Sequence, residues 1–136
     1  MDAEGLHALY TEARALTAAS LREQQRREEE ERAAHEAAVA AAQDRLLGRL
    51  LNGLEDRVRE AASEGKREVE LLVFEGNETF DGEFFYLYLL KGPRDRRGAR
   101  VVPLLRTMQQ SLAPFSVKHI WKLGTTQNQV VLAWDM

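Results

Sequence analysis

Apolar side chains near the start of the chain recur every three or four residues, which places them on one side of a helix. No proline interrupts residues 6–63, and Ala, Glu, Arg, Gln and Leu, all strong helix formers, predominate there. The stripe is narrow and is typical of a helix that packs against a partner helix. Its members are Leu6, Leu9, Tyr10, Ala13, Leu16 and Leu21.

Three further patterns complete the helical half. Residues 22–36 are mostly charged and offer no apolar face, and the alanine-rich residues 33–42 supply little area for burial. A broad apolar face at helical spacing then predicts one helix from Leu46 to Ala62. Gly65 follows at the position where a left-handed residue commonly ends a helix.

The second half alternates β-rich runs with turn residues. Residues 69–74 and 130–134 are rich in β-branched and aromatic side chains and predict strands, and residues 115–123 alternate apolar with polar positions as strands do. Residues 84–90 are continuously apolar, which predicts a central strand that is buried on both faces. A short helix is predicted over residues 103–112, because Pro103 suits a first helical turn.

These elements predict an α+β fold in two parts. A long charged and Ala-rich helix occupies residues 1–43, as an arm or a coiled-coil-like segment, and a compact domain occupies residues 44–136. The domain is expected to hold a small four-stranded, mainly antiparallel sheet with one or two helices packed on one face.

Composition narrows the class of protein. The chain has 136 residues, no cysteine and a formal net charge of −3, so disulfides, thiolate metal sites and a cysteine nucleophile are excluded. No apolar stretch approaches the roughly 20 residues that span a bilayer, and the N-terminus is acidic where a signal peptide is basic. We therefore expect an intracellular, cytoplasmic protein that neither enters a membrane nor is secreted.

Residues with catalytic or metal-binding chemistry do not group into a known motif. His7, His35 and His119 lack a second ligand at a metal-binding spacing, and neither a phosphate-binding loop nor a hydrolase motif occurs. His119 is expected to be half-buried and bonded to a neighbour, and the acidic residues 75–83 are expected to form a solvated turn. We expect no catalytic residue, metal, cofactor or small-molecule substrate.

The strongest local charge lies in residues 91–100, which contain two glycines, one proline and five basic side chains. These basic residues are Lys91, Arg94, Arg96, Arg97 and Arg100. They suit binding to several phosphates, so a nucleic-acid-binding protein is an alternative hypothesis. The aromatic residues 84–88 nearby are assigned to the core strand, and no RNA-recognition signature accompanies them.

The leading hypothesis is a non-enzymatic assembly or protein-interaction module, because a long helix with so little apolar area is poorly stabilised alone. Its expected partner is a second copy of the chain or another protein. A helix that ends at Gly65-Lys66 and leads directly into an amphipathic strand is similar, over about residues 50–75, to small proteins of large DNA viruses and phages. That resemblance implies, as a further alternative, a small structural component of a virus or phage particle.

Overall fold

The computed structural model describes residues 2–134 and confirms the predicted α+β class. Its helices are α1 (Ala3–Leu51), α2 (Leu54–Ser63), α3 (Phe85–Leu89) and α4 (Leu104–Ser111). Its strands are β1 (Glu68–Glu75), β2 (Thr79–Phe80), β3 (Glu83–Phe84), β4 (Ser116–Trp121) and β5 (Gln127–Ala133). The chain divides into two units between His35 and Glu36.

The first unit is the part of α1 that precedes Glu36. Asp2 caps its start, because a carboxylate oxygen of Asp2 accepts a hydrogen bond from the backbone N–H of Gly5 at 2.7 Å. Nearly all side chains of this segment are exposed to solvent. Its helical structure therefore depends on intrinsic propensity, capping and local ion pairs rather than on a core.

The second unit contains the hydrophobic core. The end of α1 contributes Val39 and Ala42, which are buried although the alanine-rich stretch offers little apolar area. Gln43 beside them is a buried polar residue, and its amide donates hydrogen bonds to the carbonyls of Tyr88 and Val102 at 3.0 and 2.8 Å. The largest fully buried side chains are Tyr88, Phe74, Leu46, Leu50, Leu89, Met108, Leu132, Val101 and Val130.

The single helix predicted from Leu46 to Ala62 is wrong, because the structure has two helices there. α1 ends at Leu51 and α2 begins at Leu54, and Gly53 between them is left-handed with φ 66°. Asn-Gly is a strong turn signal, and glycine adopts a positive φ without the steric penalty of a Cβ. The local turn chemistry prevails over the continuous apolar pattern.

Arg57 of α2 secures this break. Its guanidinium donates to the carbonyl of Leu50 at 2.7 Å and to the carbonyl of Glu70, in β1, at 3.3 Å. The last carbonyls of a helix have no partner within the helix, so the first of these bonds satisfies the end of α1. α2 itself ends at Ser63, and Gly65 just beyond it is left-handed as predicted, with φ 82°.

The main sheet has three antiparallel strands in the order β1-β5-β4. β5, the last strand in the sequence, lies in the centre, where Val130 faces Leu72 of β1 on one side and His119 of β4 on the other. All residues from Val130 to Ala133 are buried, as expected for a central strand. α2 contacts β1, and α4 contacts β4.

The strand predicted over residues 84–90 is wrong. Phe84 ends β3, which pairs with β2 in a separate two-stranded sheet, and the chain then forms α3. Asp81-Gly82 connects β2 to β3 with positive φ values of 49° and 83°, as in the tight two-residue turns that favour Asp-Gly. Over residues 2–134 the sheets therefore hold five strands, three in one and two in the other.

The burial pattern of α3 explains the error. Phe85, Tyr88 and Leu89 are the most deeply buried residues, Leu87 is buried less deeply at 9 % exposed, and Tyr86 is 53 % exposed. Spacings of three and four residues place the three most deeply buried side chains on one side of a helix. A short, continuously apolar run contains no periodicity that separates a strand from a helix, so the sequence pattern left this choice open.

Candidate functional site

The first candidate site is the apolar stripe, defined as Leu6, Leu9, Tyr10, Ala13, Leu16 and Leu21 of α1. The first five residues follow one another along one side of the helix, as their three- and four-residue spacing predicts, and Leu21 lies at the far edge of that side, five residues after Leu16. All six are exposed, and the exposed fractions of the five large side chains range from 49 % at Leu9 to 64 % at Leu16. The stripe is therefore an apolar surface open to solvent.

Charged residues that pair along their own helix follow the stripe. Arg26 contacts Glu30 at 2.6 Å and also donates to Glu23 at 3.0 Å, and Arg27 contacts Glu23 at 3.3 Å. The hydrogen bond from Arg26 lowers the pKa of Glu23, and the bond to Glu23 raises the pKa of Arg26. These charges satisfy one another locally, so the apolar surface ends near Leu21.

The second candidate site begins with the basic loop, defined as residues 91–100. The loop is a folded turn, because Oδ1 of Asp95 accepts hydrogen bonds from the backbone N–H groups of Arg97 and Ala99, both at 2.9 Å. Ala99 is fully buried. The acidic residue that offsets the positive charge in the sequence therefore also orders the loop.

The five basic side chains predicted as a nucleic-acid site separate into two groups. Lys91, Arg96 and Arg97 line one cavity. The backbones of Arg94 and Arg100 form an isolated antiparallel β-bridge. The guanidinium of Arg94 donates to the carbonyl of Gly98 at 3.1 Å. Arg94 therefore supports the loop, while three cations face the cavity.

Exposed aromatic side chains form the other wall of this cavity, which has a volume of about 180 Å³. Phe84 is 45 % and Tyr86 is 53 % exposed. We call the cavity the aromatic–basic pocket, and it is lined by Glu83, Phe84, Tyr86, Leu87, Lys91, Asp95, Arg96 and Arg97. The sequence interpretation missed Phe84 and Tyr86 because it assigned them to a buried strand.

Other side chains with reactive chemistry have structural partners. Nε2 of His119 lies 2.8 Å from Oδ1 of Asn128 on the neighbouring strand, which confirms the predicted half-buried, hydrogen-bonded histidine. Asp81, in the acidic turn, pairs with Arg45 at 2.7 Å. Within residues 2–134, no group of three or more His, Asp or Glu side chains is arranged to hold a metal ion.

Comparison with known proteins adds no relative. No protein-family model, curated protein or solved structure matches the chain significantly. Among the helices of the described residues, none combines the length and the apolar character needed to cross a membrane.

Proposed function

We propose that the chain is an assembly protein that associates with a second copy of itself through the apolar stripe of α1. The observation that carries this proposal is the exposure of five large apolar side chains along one side of a helix. Contiguous exposed apolar surface of this kind commonly marks an interaction site. A structural role in a virus or phage particle would require the same kind of association.

The composition of the first unit favours a helical partner. A stripe with three- and four-residue spacing fits the side of a second helix, and no other surface of this segment is apolar over a comparable length. In a two-fold dimer the same patch serves both copies, so one stripe is sufficient. We therefore take a second copy as the occupant.

The size of the stripe limits the strength of the association. Each large side chain is already about half covered by its own helix, so burying the remainder contributes about 1 kcal/mol. Ten such side chains in a pair supply about 10 kcal/mol, while the loss of translational and rotational freedom costs about 4–15 kcal/mol. The dimer should therefore be weak and dependent on concentration.

Sedimentation of the full chain tests the proposal. The unmodified protein should increase in average mass as its concentration rises, whereas the double variant Leu9→Lys with Leu16→Lys should remain monomeric, because it places two charges in the stripe. The matched control is Ala8→Lys with Ala15→Lys, which adds the same charges at the same spacing on the opposite side of α1.

The control should associate like the unmodified protein. If the unmodified chain stays monomeric over the whole range of concentration, or if both double variants associate equally well, self-association through the stripe is ruled out.

A further inference from the structure

An aromatic wall and a cationic wall face the same small cavity, and association through α1 accounts for neither. We propose that the aromatic–basic pocket binds an unpaired nucleotide, its base against Phe84 and Tyr86 and its phosphate near Lys91, Arg96 and Arg97. The ligand chemistry is a planar base joined to a phosphate. It can come from single-stranded nucleic acid or from a free nucleotide.

The two aromatic side chains supply a surface for stacking. Phe84 and Tyr86 leave about half of their area in solvent, whereas Phe85 and Tyr88 of the same segment are buried in the core. Every nucleobase has a π-face that stacks on aromatic rings without a requirement for sequence. The segment therefore divides its aromatic residues between the core and the pocket.

The size of the cavity indicates how much of a ligand it can enclose. Its volume of about 180 Å³ lies below the ~300–1,000 Å³ of pockets that enclose a whole drug-sized ligand. It is suited to one ring system, with the sugar and the phosphate left outside among the cations. A base that is paired and stacked in a duplex is not available for such contact.

The basic loop is ordered before any ligand arrives. The hydrogen bonds from Arg97 and Ala99 to Asp95 hold the tip of the loop, so binding loses less conformational entropy than it would with a mobile loop. Glu83 also lines the pocket, and its carboxylate repels phosphate but accepts hydrogen bonds from amino groups such as that of cytosine. This arrangement favours the base, rather than the phosphate, beside Glu83.

Binding of a fluorescent oligodeoxycytidylate of about 12 nucleotides at low salt tests the aromatic wall. Tyr86→Ala should reduce the affinity between about fivefold and about 150-fold, the effect of losing one base–aromatic stack. Tyr86→Phe should retain most of the affinity because it keeps the ring. The matched control is Trp121→Ala, which removes an aromatic ring that is 65 % exposed outside the pocket and should leave the affinity unchanged.

The salt dependence of the same binding tests the cationic wall. Arg96→Ala should lower the affinity and reduce the slope of log affinity against log salt by about 0.7, the value for one phosphate contact on a single strand. Arg106→Ala, an exposed arginine of α4 that does not line the pocket, should change the slope less.

The inference is overturned if the unmodified protein does not retain the oligonucleotide at low salt. Equal losses in Tyr86→Ala and Trp121→Ala would also overturn it, as would tighter binding to duplex than to single strands. Competition with free cytidine monophosphate distinguishes the two sources of ligand. If cytidine monophosphate displaces the fluorescent oligonucleotide at about the same nucleotide concentration as an unlabelled oligonucleotide does, the ligand is a free nucleotide. If only the unlabelled oligonucleotide displaces it, the ligand is a single strand. These outcomes do not depend on the oligomeric state.

Discussion

Gln43 joins three parts of the second unit through one side-chain amide. Its Nε2 donates to the carbonyls of Tyr88 and Val102, and the side chain is only 8 % exposed. Gln43→Leu keeps a similar volume but leaves both carbonyls without this donor, so we expect a loss of about 1–3 kcal/mol in the free energy of unfolding. Chemical denaturation measures the change.

Gln110→Leu on the exposed side of α4 is the control for this prediction. It should alter the free energy of unfolding by no more than about 0.5 kcal/mol, as is usual at exposed positions. Equal effects of the two substitutions would show that the bonds of Gln43 do not stabilise the fold.

Tyr88 gives the protein a dependence on alkaline pH. Its hydroxyl donates to the carbonyl of Phe80 at 2.8 Å, and burial, followed by the negative charges of Glu83 and Asp81, raises the pKa of Tyr88. The folded protein thus keeps the proton at a pH where the unfolded chain has lost it. The contribution of the Tyr88 hydroxyl to the free energy of unfolding is complete below the ordinary tyrosine pKa. It is lost as the pH rises through the pKa of Tyr88 in the folded protein.

Tyr88→Phe checks this titration. Near neutral pH the substitution should cost about 1 kcal/mol, because one hydrogen bond is lost. The difference from the unmodified protein should narrow as the pH rises above about 10, the ordinary tyrosine value. Urea denaturation at several pH values measures it, with Tyr86→Phe at an exposed position as control. A difference that stays constant with pH would contradict the assignment.

For individual residues, the sequence predicted the role of a side chain when that role depends on local spacing. It did not predict the role of a side chain whose partners are distant in the sequence. The cap at Gly65 and the bonded His119 follow from neighbouring residues or from strand alternation. Gln43 looks like any other polar residue of a helix, because its two partners lie 45 and 59 residues further along the chain. No periodicity in the sequence records such a contact.

At the scale of elements, the break between α1 and α2 depends on the conformation of Gly53. Gly53→Ala introduces a Cβ at a residue with φ 66°. Beyond its neighbours in the chain, no atom lies within 4 Å of that Cβ, so the substitution causes no clash. Its cost is backbone strain, which lowers the free energy of unfolding by about 1–2 kcal/mol. Gly48→Ala, inside α1 and equally open, should instead stabilise the protein by about 0.5–1 kcal/mol.

Thermal or urea denaturation of both variants measures the two effects. Opposite signs are expected for the same chemical change, because Gly53 is left-handed and Gly48 is helical. If Gly53→Ala were neutral or stabilising, the turn at the end of α1 would not require glycine.

The pattern of apolar residues determines some of the helices and strands but not others. It located β1, β4, β5 and α4 to within a few residues, because each has a clear period or a turn at its ends. The pattern gave two wrong predictions: it predicted one helix where α1 and α2 are separate, and it predicted a strand where α3 is a helix. In the first case a two-residue turn signal lay within a continuous apolar face, and in the second a short apolar run had no period.

At the scale of the whole molecule, the two candidate surfaces differed in how far the sequence revealed them. The apolar stripe follows from helical spacing alone, because all its residues belong to one helix. The aromatic–basic pocket does not, because it requires the exposure of Phe84 and Tyr86, which depends on α3 being helical. The five cations were visible in the sequence, but the aromatic wall beside them was not.

The central position of β5 determines the order in which the parts of the protein can form during synthesis. Within the part of the chain that the structure describes, β1 and β4 pair in the main sheet with β5 alone, which is made after both of them. β4 and β5 are neighbours in the sequence, but β1 and β5 are distant. Pairing of such distant strands is slow, whereas a helix forms in about a microsecond. The ribosome thus exposes α1 while the sheet is still open. Under the proposed self-association, nascent chains on one messenger RNA would meet through their helices before either core has closed.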